Sequence, residues 1–388
     1  MSRHIPRPVH GKFWTPGVIV LAVLMLIGFA GIIARYIGGL GYVTNLDNGH
    51  PWGLWIGVDV ASGVALAAGG FTTSFLAHIL GRHKYEPVLR PAILTAALGY
   101  TFVAFGVFLD IGRSWAIWKP MFNWNLNSAL FEVAMCVMAY LTVLYIEFFP
   151  VVAEQFKHRI KLLGTIDGIL KPVMWVFIIL GVVLSCMHQS SLGTLMLLAP
   201  TKMHPLWYTP WLPLLFLLSA FAVGYPMVIF ETGLITKSKH LESEMGVLGP
   251  LSRFTILTLG LYLVLKLGDM IARETYVYLL DGSAQSNAFI VEVLFGAVVP
   301  WFMLLSAEVR HSRGLLFTAA TLIVLGVLIN RINVFTVAYK APVTQTSYFP
   351  SVTEMAITIG LIATLMFLYR IAVTWLPVIS AQKKELGL

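Results

Sequence analysis

Ten apolar stretches of about twenty residues or more recur along the chain, and no other feature limits its fold so tightly. Inside a bilayer no water pairs with peptide N–H and C=O groups, so a spanning segment must satisfy them itself, as a helix does. About 20 helical residues at 1.5 Å each cross the roughly 30 Å hydrocarbon core. The stretches fall at about 17–38, 52–80, 90–112, 127–153, 170–190, 211–235, 250–274, 287–309, 313–337 and 352–378. Only 11% of the 388 residues are charged, against roughly 25% in soluble domains. The sequence therefore predicts an all-α polytopic membrane protein with ten transmembrane helices.

Lys and Arg orient it. With ten spans both termini share one side, and that side's tails and loops carry 17 basic residues against 5 in the opposite loops. Positive-inside bias places both termini in the cytoplasm, for a bacterial protein in the inner membrane. The formal charge of +8 then reflects topology rather than nucleic-acid binding. The basic, then apolar N-terminus resembles a signal peptide, but it shows no small-x-small cleavage site before Arg35 and reads as a retained first span. Cys136 and Cys186 lie alone in separate spans. Two such cysteines cannot hold a four-ligand zinc site or an iron–sulfur cluster.

The chain reads as one membrane domain, 1–388, with cytoplasmic tails at 1–16 and 379–388. HPWGLW (His50–Trp55) opens the second span and HPLWYTPWLP (His204–Pro213) the sixth. That repetition suggests two four-helix units, 52–193 (spans 2–5) and 211–337 (spans 6–9), flanked by spans 1 and 10. Trp52, Trp55, Trp115, Trp118, Trp124, Trp207 and Trp211 gather at the outer boundary. An interfacial aromatic belt accounts for them; an aromatic docking surface is the alternative.

A charge at the centre of a span costs roughly 2.5–3.5 kcal/mol on insertion scales, so each one asks for a reason. Asp59, Asp110, Arg113, Glu132, His188, Lys266, Asp269, Glu292 and Arg331 map to the outer part of the spans; His78, Glu147, Glu231 and Glu308 map to the inner half. Asp110 with Arg113, and Lys266 with Asp269, are three apart and can neutralise each other along one helix face. Ser351 and Glu354 fit a capping box. His78, Glu147 and Glu308 are close enough to water to snorkel. Asp59 and Glu132 have no basic residue three or four positions away. Asp59 also lies on a helix whose Gly53, Gly57 and Ala61 favour close packing. The expectation is an outer cluster of Asp59, Arg113, Glu132 and His188.

Acids and an imidazole below the outer boundary can exchange protons with a lipid-soluble molecule and hydrogen-bond its carbonyl or hydroxyl. A quinone, which takes up two electrons and two protons, fits those needs. Imidazole titrates near neutral pH, and a desolvated carboxylic acid can be tuned towards it. Electrons must come from elsewhere. Haem b usually needs two axial His, and His78 and His188 lie at opposite membrane faces. There is no C-x-x-C-H motif. A partner must supply the electron wire.

Several segments together carry a family resemblance. HPWGLWIGVDVASGVALAAGGF, LRPAILTAALGY and FLDIGRSW resemble the NrfD/PsrC-type integral membrane subunits of the polysulfide reductase family. NSALFEVAMCVMAYLTVLYIEF, MHQSSLGTL with HPLW, and YFPSVTE are similar to its ten-span HybB-like branch. The matches run from about residue 50 to 355. The resemblance implies a haem-free subunit docked to a periplasmic ferredoxin-like iron–sulfur subunit, in a complex with hydrogenase or multihaem cytochrome c subunits. It implies electron exchange with menaquinone near the periplasmic face of the first four-helix unit, in some members coupled to proton movement. The family's first-unit acids and His fall here on Asp59, Asp110, Arg113, Glu132 and His188. Individual quinone ligands are not assigned by it.

Quinone contact is thus expected at Asp59 and His188, with Glu132 and Arg113 tuning them. A proton route would use Asp110, His78, Glu147, Lys266 and Asp269. Two other classes stay open. Buried charges in paired four-helix units also mark proton or ion transporters. A passive anchor for redox partners is the third, although an anchor has little reason to keep an uncompensated acid in a packed span.

Overall fold

A computed structural model describes residues 6–9, 11–198, 200–242, 244–341 and 348–380. The outer parts of both expected tails, with Arg3, Lys383 and Lys384, lie outside the described residues. Among the described residues ten helices are long and apolar enough to cross a membrane: α1 Pro16–Gly38, α2 Trp55–Ile79, α3 His83–Asp110, α4 Ala129–Phe156, α5 Lys161–Leu197, α6 Leu212–Ser238, α7 Met245–Ala272, α8 Ala284–Leu305, α9 Arg313–Val337 and α10 Val352–Trp375. The all-α, ten-span architecture is as the apolar periodicity implies. Loops 39–54, 111–128, 200–211 and 273–283, with residues 338–341 and 348–351, form one face, the loop-rich face; the described stretches 6–9 and 376–380 meet at the other, the terminal face.

Helices adjacent in the chain pack against one another. α2, α3, α4 and α5 each touch the next, and α5 returns to α2; α6, α7, α8 and α9 close in the same way. The two sets meet where α6 packs on α2 and α5, and where α9 packs on α2. α1 and α10 form the tightest pair and lean on the first set through α3 and α2. Glycines permit two crossings: Gly28 of α1 faces Gly360 of α10, and Gly296 of α8 faces Gly326 of α9, with backbone where a Cβ would stand.

α2 is the hub, 83% of its apolar window being buried against 17% for α1. A helix packed on all sides needs small side chains, and WIGVDVASGVALAAGG supplies them. It is also irregular. Trp55–Ser62 and Phe75–Ile79 are π-helical, with the Ser62 hydroxyl donating to Gly57 O five residues back at 2.7 Å. The Gly57 face meets α9 at Ile332, which turns Asp59 towards a different neighbour.

The polar run His188-Gln189-Ser190-Ser191 does not end α5. The helix continues to Leu197, because these side chains point into the first unit instead of towards solvent. Gly193 then lets α5 lie against Leu212 and Pro213 at the start of α6, where an added Cβ would meet backbone at 2.7–2.9 Å. Buried Arg35 of α1 fastens the end of α3, its Nε donating to Leu109 O at 2.9 Å and its Nη2 to Ile111 O at 2.7 Å. A cation at a helix C-terminus meets both free carbonyls and the negative end of the dipole. Glu354 does form the expected capping box with Ser351, and it also accepts from Tyr348 OH and Asn45 N.

Candidate functional site

The expected cluster of Asp59, Arg113, Glu132 and His188 does not assemble as a foursome: among the described residues no hydrogen bond or ion pair joins any two of them. Asp59 faces α10 and α3, accepting from Thr358 Oγ1 at 2.7 Å and lying beside Gly106. Arg113 is exposed in the loop beyond α3. That helix stops at Asp110, so the three-residue spacing no longer places Arg113 above Asp110. Asp110 Oδ1 is left buried without a partner, with Arg35 rather than Arg113 as the cation within electrostatic reach.

Glu132 and His188 do approach each other, through a residue that the charge pattern did not single out. Ser191 lies three residues after His188, so both share one face of α5. Its Oγ meets Glu132 Oε1 at 2.5 Å and Met187 O at 2.8 Å. A hydroxyl has one proton and can accept at the same time. When Glu132 is ionised, Ser191 donates to it; when Glu132 is protonated, Ser191 accepts and donates to Met187 O instead. The geometry therefore serves both states of the carboxyl. Glu132 itself is exposed in the first turn of α4, at the loop-rich end, whereas Ser191 and His188 are buried.

Behind them the polar line continues. His188 is fully buried, its Nδ1 lying 3.2 Å from Tyr100 OH and its Nε2 having no partner among the described residues. The Tyr100 ring packs edge-on against Tyr140 at 4.5 Å. Ser185 Oγ is within electrostatic reach of both phenols, yet it and Tyr140 OH lack hydrogen-bond geometry to any described residue. Gln189 donates to Val64 O at 2.9 Å and leaves its Oε1 unpaired. Glu147, two turns beyond Tyr140 on α4, places its carboxyl against Gly181 of α5, where a Cβ would leave it no room. Buried polar atoms without partners are rare, and His188 Nε2, Gln189 Oε1, Ser185 Oγ and Tyr140 OH, none paired among the described residues, lie on two facing helices, α4 and α5.

The second unit holds a different arrangement. Lys266 does not pair with Asp269: its Nζ donates to Glu292 Oε1 of α8 at 2.5 Å and to Tyr262 OH at 3.1 Å. Asp269 is held instead by Arg273, four residues on, at 2.9 Å. Glu292 also accepts from Asn330 at 2.7 Å, Trp207 Nε1 at 2.8 Å and Asn333 at 2.9 Å. All four of its lone-pair positions face donors, which fits the carboxylate alone. His78 is exposed at the terminal end of α2, as its snorkelling position implies. The outer tryptophans divide: Trp115, Trp118, Trp124 and Trp211 are exposed as a belt requires, while Trp55 and Trp207 are buried structural donors.

Tyr100, Tyr140, Ser185, Gln189 and Ser191 carry no charge, so a search for buried ions passes over them. The visible signal was the polar density of His188–Ser191 inside an apolar span. Among the described residues no group of three or more His, Cys, Asp or Glu converges as a metal site.

Comparison with known proteins adds three relatives covering nearly the full length. A Nitratidesulfovibrio vulgaris Hildenborough protein is 37% identical over 94% of this chain and 95% of its own. The Escherichia coli K12 "probable Ni/Fe-hydrogenase 2 b-type cytochrome subunit" is 33% identical over 98% of this chain and 97% of its own. The "menaquinone reductase, integral membrane subunit" of N. vulgaris Hildenborough is 27% identical over 92% and 90%. The family described as "Polysulphide reductase, NrfD" matches residues 42–342, and with most of the chain inside that match, it belongs to the NrfD family.

Proposed function

We propose that this chain is the quinone-interacting membrane subunit of a respiratory redox complex, not catalytic alone, and that it exchanges protons with menaquinone at the Glu132 face of α4 and α5. The observation that carries the site is the Glu132–Ser191 contact, an exposed carboxyl near the loop-rich end of α4 whose hydroxyl partner suits both its protonation states. The relatives named as a menaquinone reductase subunit and a hydrogenase subunit support the function class. Glu132 takes or returns a proton at a quinone oxygen. Ser191 reverses its hydroxyl to match, and His188, one turn away, exchanges protons between its free Nε2 and Tyr100. Tyr140 and Glu147 extend the same line towards the terminal face and would carry any proton movement across the first unit.

Quinone reduction also needs two electrons, which a docked periplasmic ferredoxin-like iron–sulfur subunit, fed by hydrogenase or multihaem cytochrome c subunits, would deliver at the loop-rich face. The excess of basic residues on the other side supports that orientation in the inner membrane. A b-type haem, which the name of the E. coli relative suggests, does not fit the residues present. His188 is the one buried imidazole within the described spans, and Tyr100 occupies its Nδ1 side. His78 sits exposed at the other end of the bundle.

The test is quinone-linked turnover of the intact complex carrying Glu132→Gln or His188→Phe. General acid–base groups contribute about 100-fold or more, so quinone reduction should fall by that order. Turnover with a soluble electron acceptor and co-purification of the partners should stay unchanged. Wild-type quinone reduction in both variants would overturn the assignment.

A further inference from the structure

Around one pocket of the second unit the described cations outnumber the carboxylates by one. Around the pocket between α6, α7 and α9, beneath loop residues Leu206–Thr209, the charged groups are Lys266, Arg273, Arg331, Asp269 and Glu292. Asp269 is engaged by Arg273 and Glu292 by Lys266. That leaves Arg331, 1% exposed, whose partners among the described residues are all neutral: Asn330 Oδ1 at 2.6 Å, Ser219 Oγ at 2.8 Å, Phe216 O at 3.2 Å and the Phe216 ring, 3.7 Å beneath its guanidinium. Its Nε–H has no acceptor among the described residues. Glu292, the carboxylate within its electrostatic reach, already accepts four donors. Residues 342–347, which lie outside the described residues, include no acid.

An isolated buried guanidinium is costly unless a counter-charge accompanies it. Arg331 and Lys266 both line the pocket, and each retains a donor that no described residue uses: Arg331 its Nε–H, Lys266 the third of its N–H groups. The remaining space is that of one water or one small ion, too little for a quinone ring. Water would satisfy a donor and leave the charge unbalanced. We infer that this pocket binds one small monovalent inorganic anion, of the halide class, against Arg331 and Lys266. The anion neutralises the core of the second unit and ties α9 to α7; it takes no part in redox chemistry.

The test uses the full chain, purified in detergent and exchanged into gluconate buffer at constant ionic strength. Chloride or bromide is then titrated while thermal unfolding is followed by tryptophan fluorescence. The unfolding midpoint should rise and saturate with halide, as expected for a ligand that binds only the folded state. Arg331→Gln should abolish the rise. Thr209→Asp places a carboxylate in the same pocket lining and can retain the Thr209 bond to Trp211 N. It should therefore give a protein that is stable without halide and insensitive to it. A wild-type midpoint that is the same in gluconate and halide overturns the inference. So does a wild-type halide response in either variant, and Thr209→Asp decides the matter if Arg331→Gln does not fold.

Discussion

Exchanging Glu292 for glutamine keeps the shape of the second unit's polar core and removes its negative charge. One of the two carboxylate oxygens becomes an NH2 group facing two donors. Whichever way the amide turns, it confronts either Lys266 and Asn330 or Trp207 and Asn333. Leaving two buried donors unmatched costs about 1–3 kcal/mol each. Lys266 also loses its counter-ion beside Arg331, and breaking a buried pair from one side costs about 3–5 kcal/mol. The expected loss is about 5 kcal/mol. Lys266→Met removes one of four donors and leaves the carboxylate opposite Arg331, so its cost should be about 2–3 kcal/mol. The double variant should be no worse than Glu292→Gln alone, because the methionine relieves the stranded ammonium. Equilibrium unfolding by SDS in mixed micelles, at fixed halide, would measure all three. Equal losses from the two single variants, or a double variant whose loss is their sum, would refute the charge accounting.

Two shorter predictions concern residues away from that core. Thr358→Val removes the hydrogen-bond donor to Asp59 and should cost about 1–3 kcal/mol by leaving a buried acid unmatched. Its unfolding midpoint should fall while α10 stays inserted, and an unchanged midpoint would count against the Asp59 placement. In loop 200–211, burial, assisted by Lys340 and opposed by Asp281, holds the His204 imidazole below its ordinary value of 6.5. The unfolded chain therefore binds more protons between the folded value and 6.5. Stability should be fully present above pH 6.5, fall as the pH drops through that window and level off beneath it. His204→Asn, which keeps an acceptor for Leu206 N, should flatten this part of the pH profile; an unaltered slope would assign it elsewhere.

The spans and their number were legible because lipid imposes one rule on every residue of a span. Which charge answers which was not, because sequence spacing describes one helix while a buried charge chooses among several. Asp110 and Arg113 failed as a pair because α3 ends between them. Lys266 passed over Asp269 for a carboxylate 26 residues away, since Glu292 came with three neutral donors already in place. Asp59 found Thr358, 299 residues distant, a hydroxyl that no charge search would notice. The same neutral residues separate structural acids from those suited to proton exchange. Glu292 meets three partners that can only donate, Lys266, Trp207 and the Arg331-anchored Asn330, and the Lys266 ammonium holds it as an anion. Glu132 meets one hydroxyl that donates or accepts as required. Both carboxyls raised the same question in the sequence, since each is an acid in an apolar span. The answer lies in whether their partners can reverse, and serine can where lysine, tryptophan and an arginine-anchored asparagine cannot.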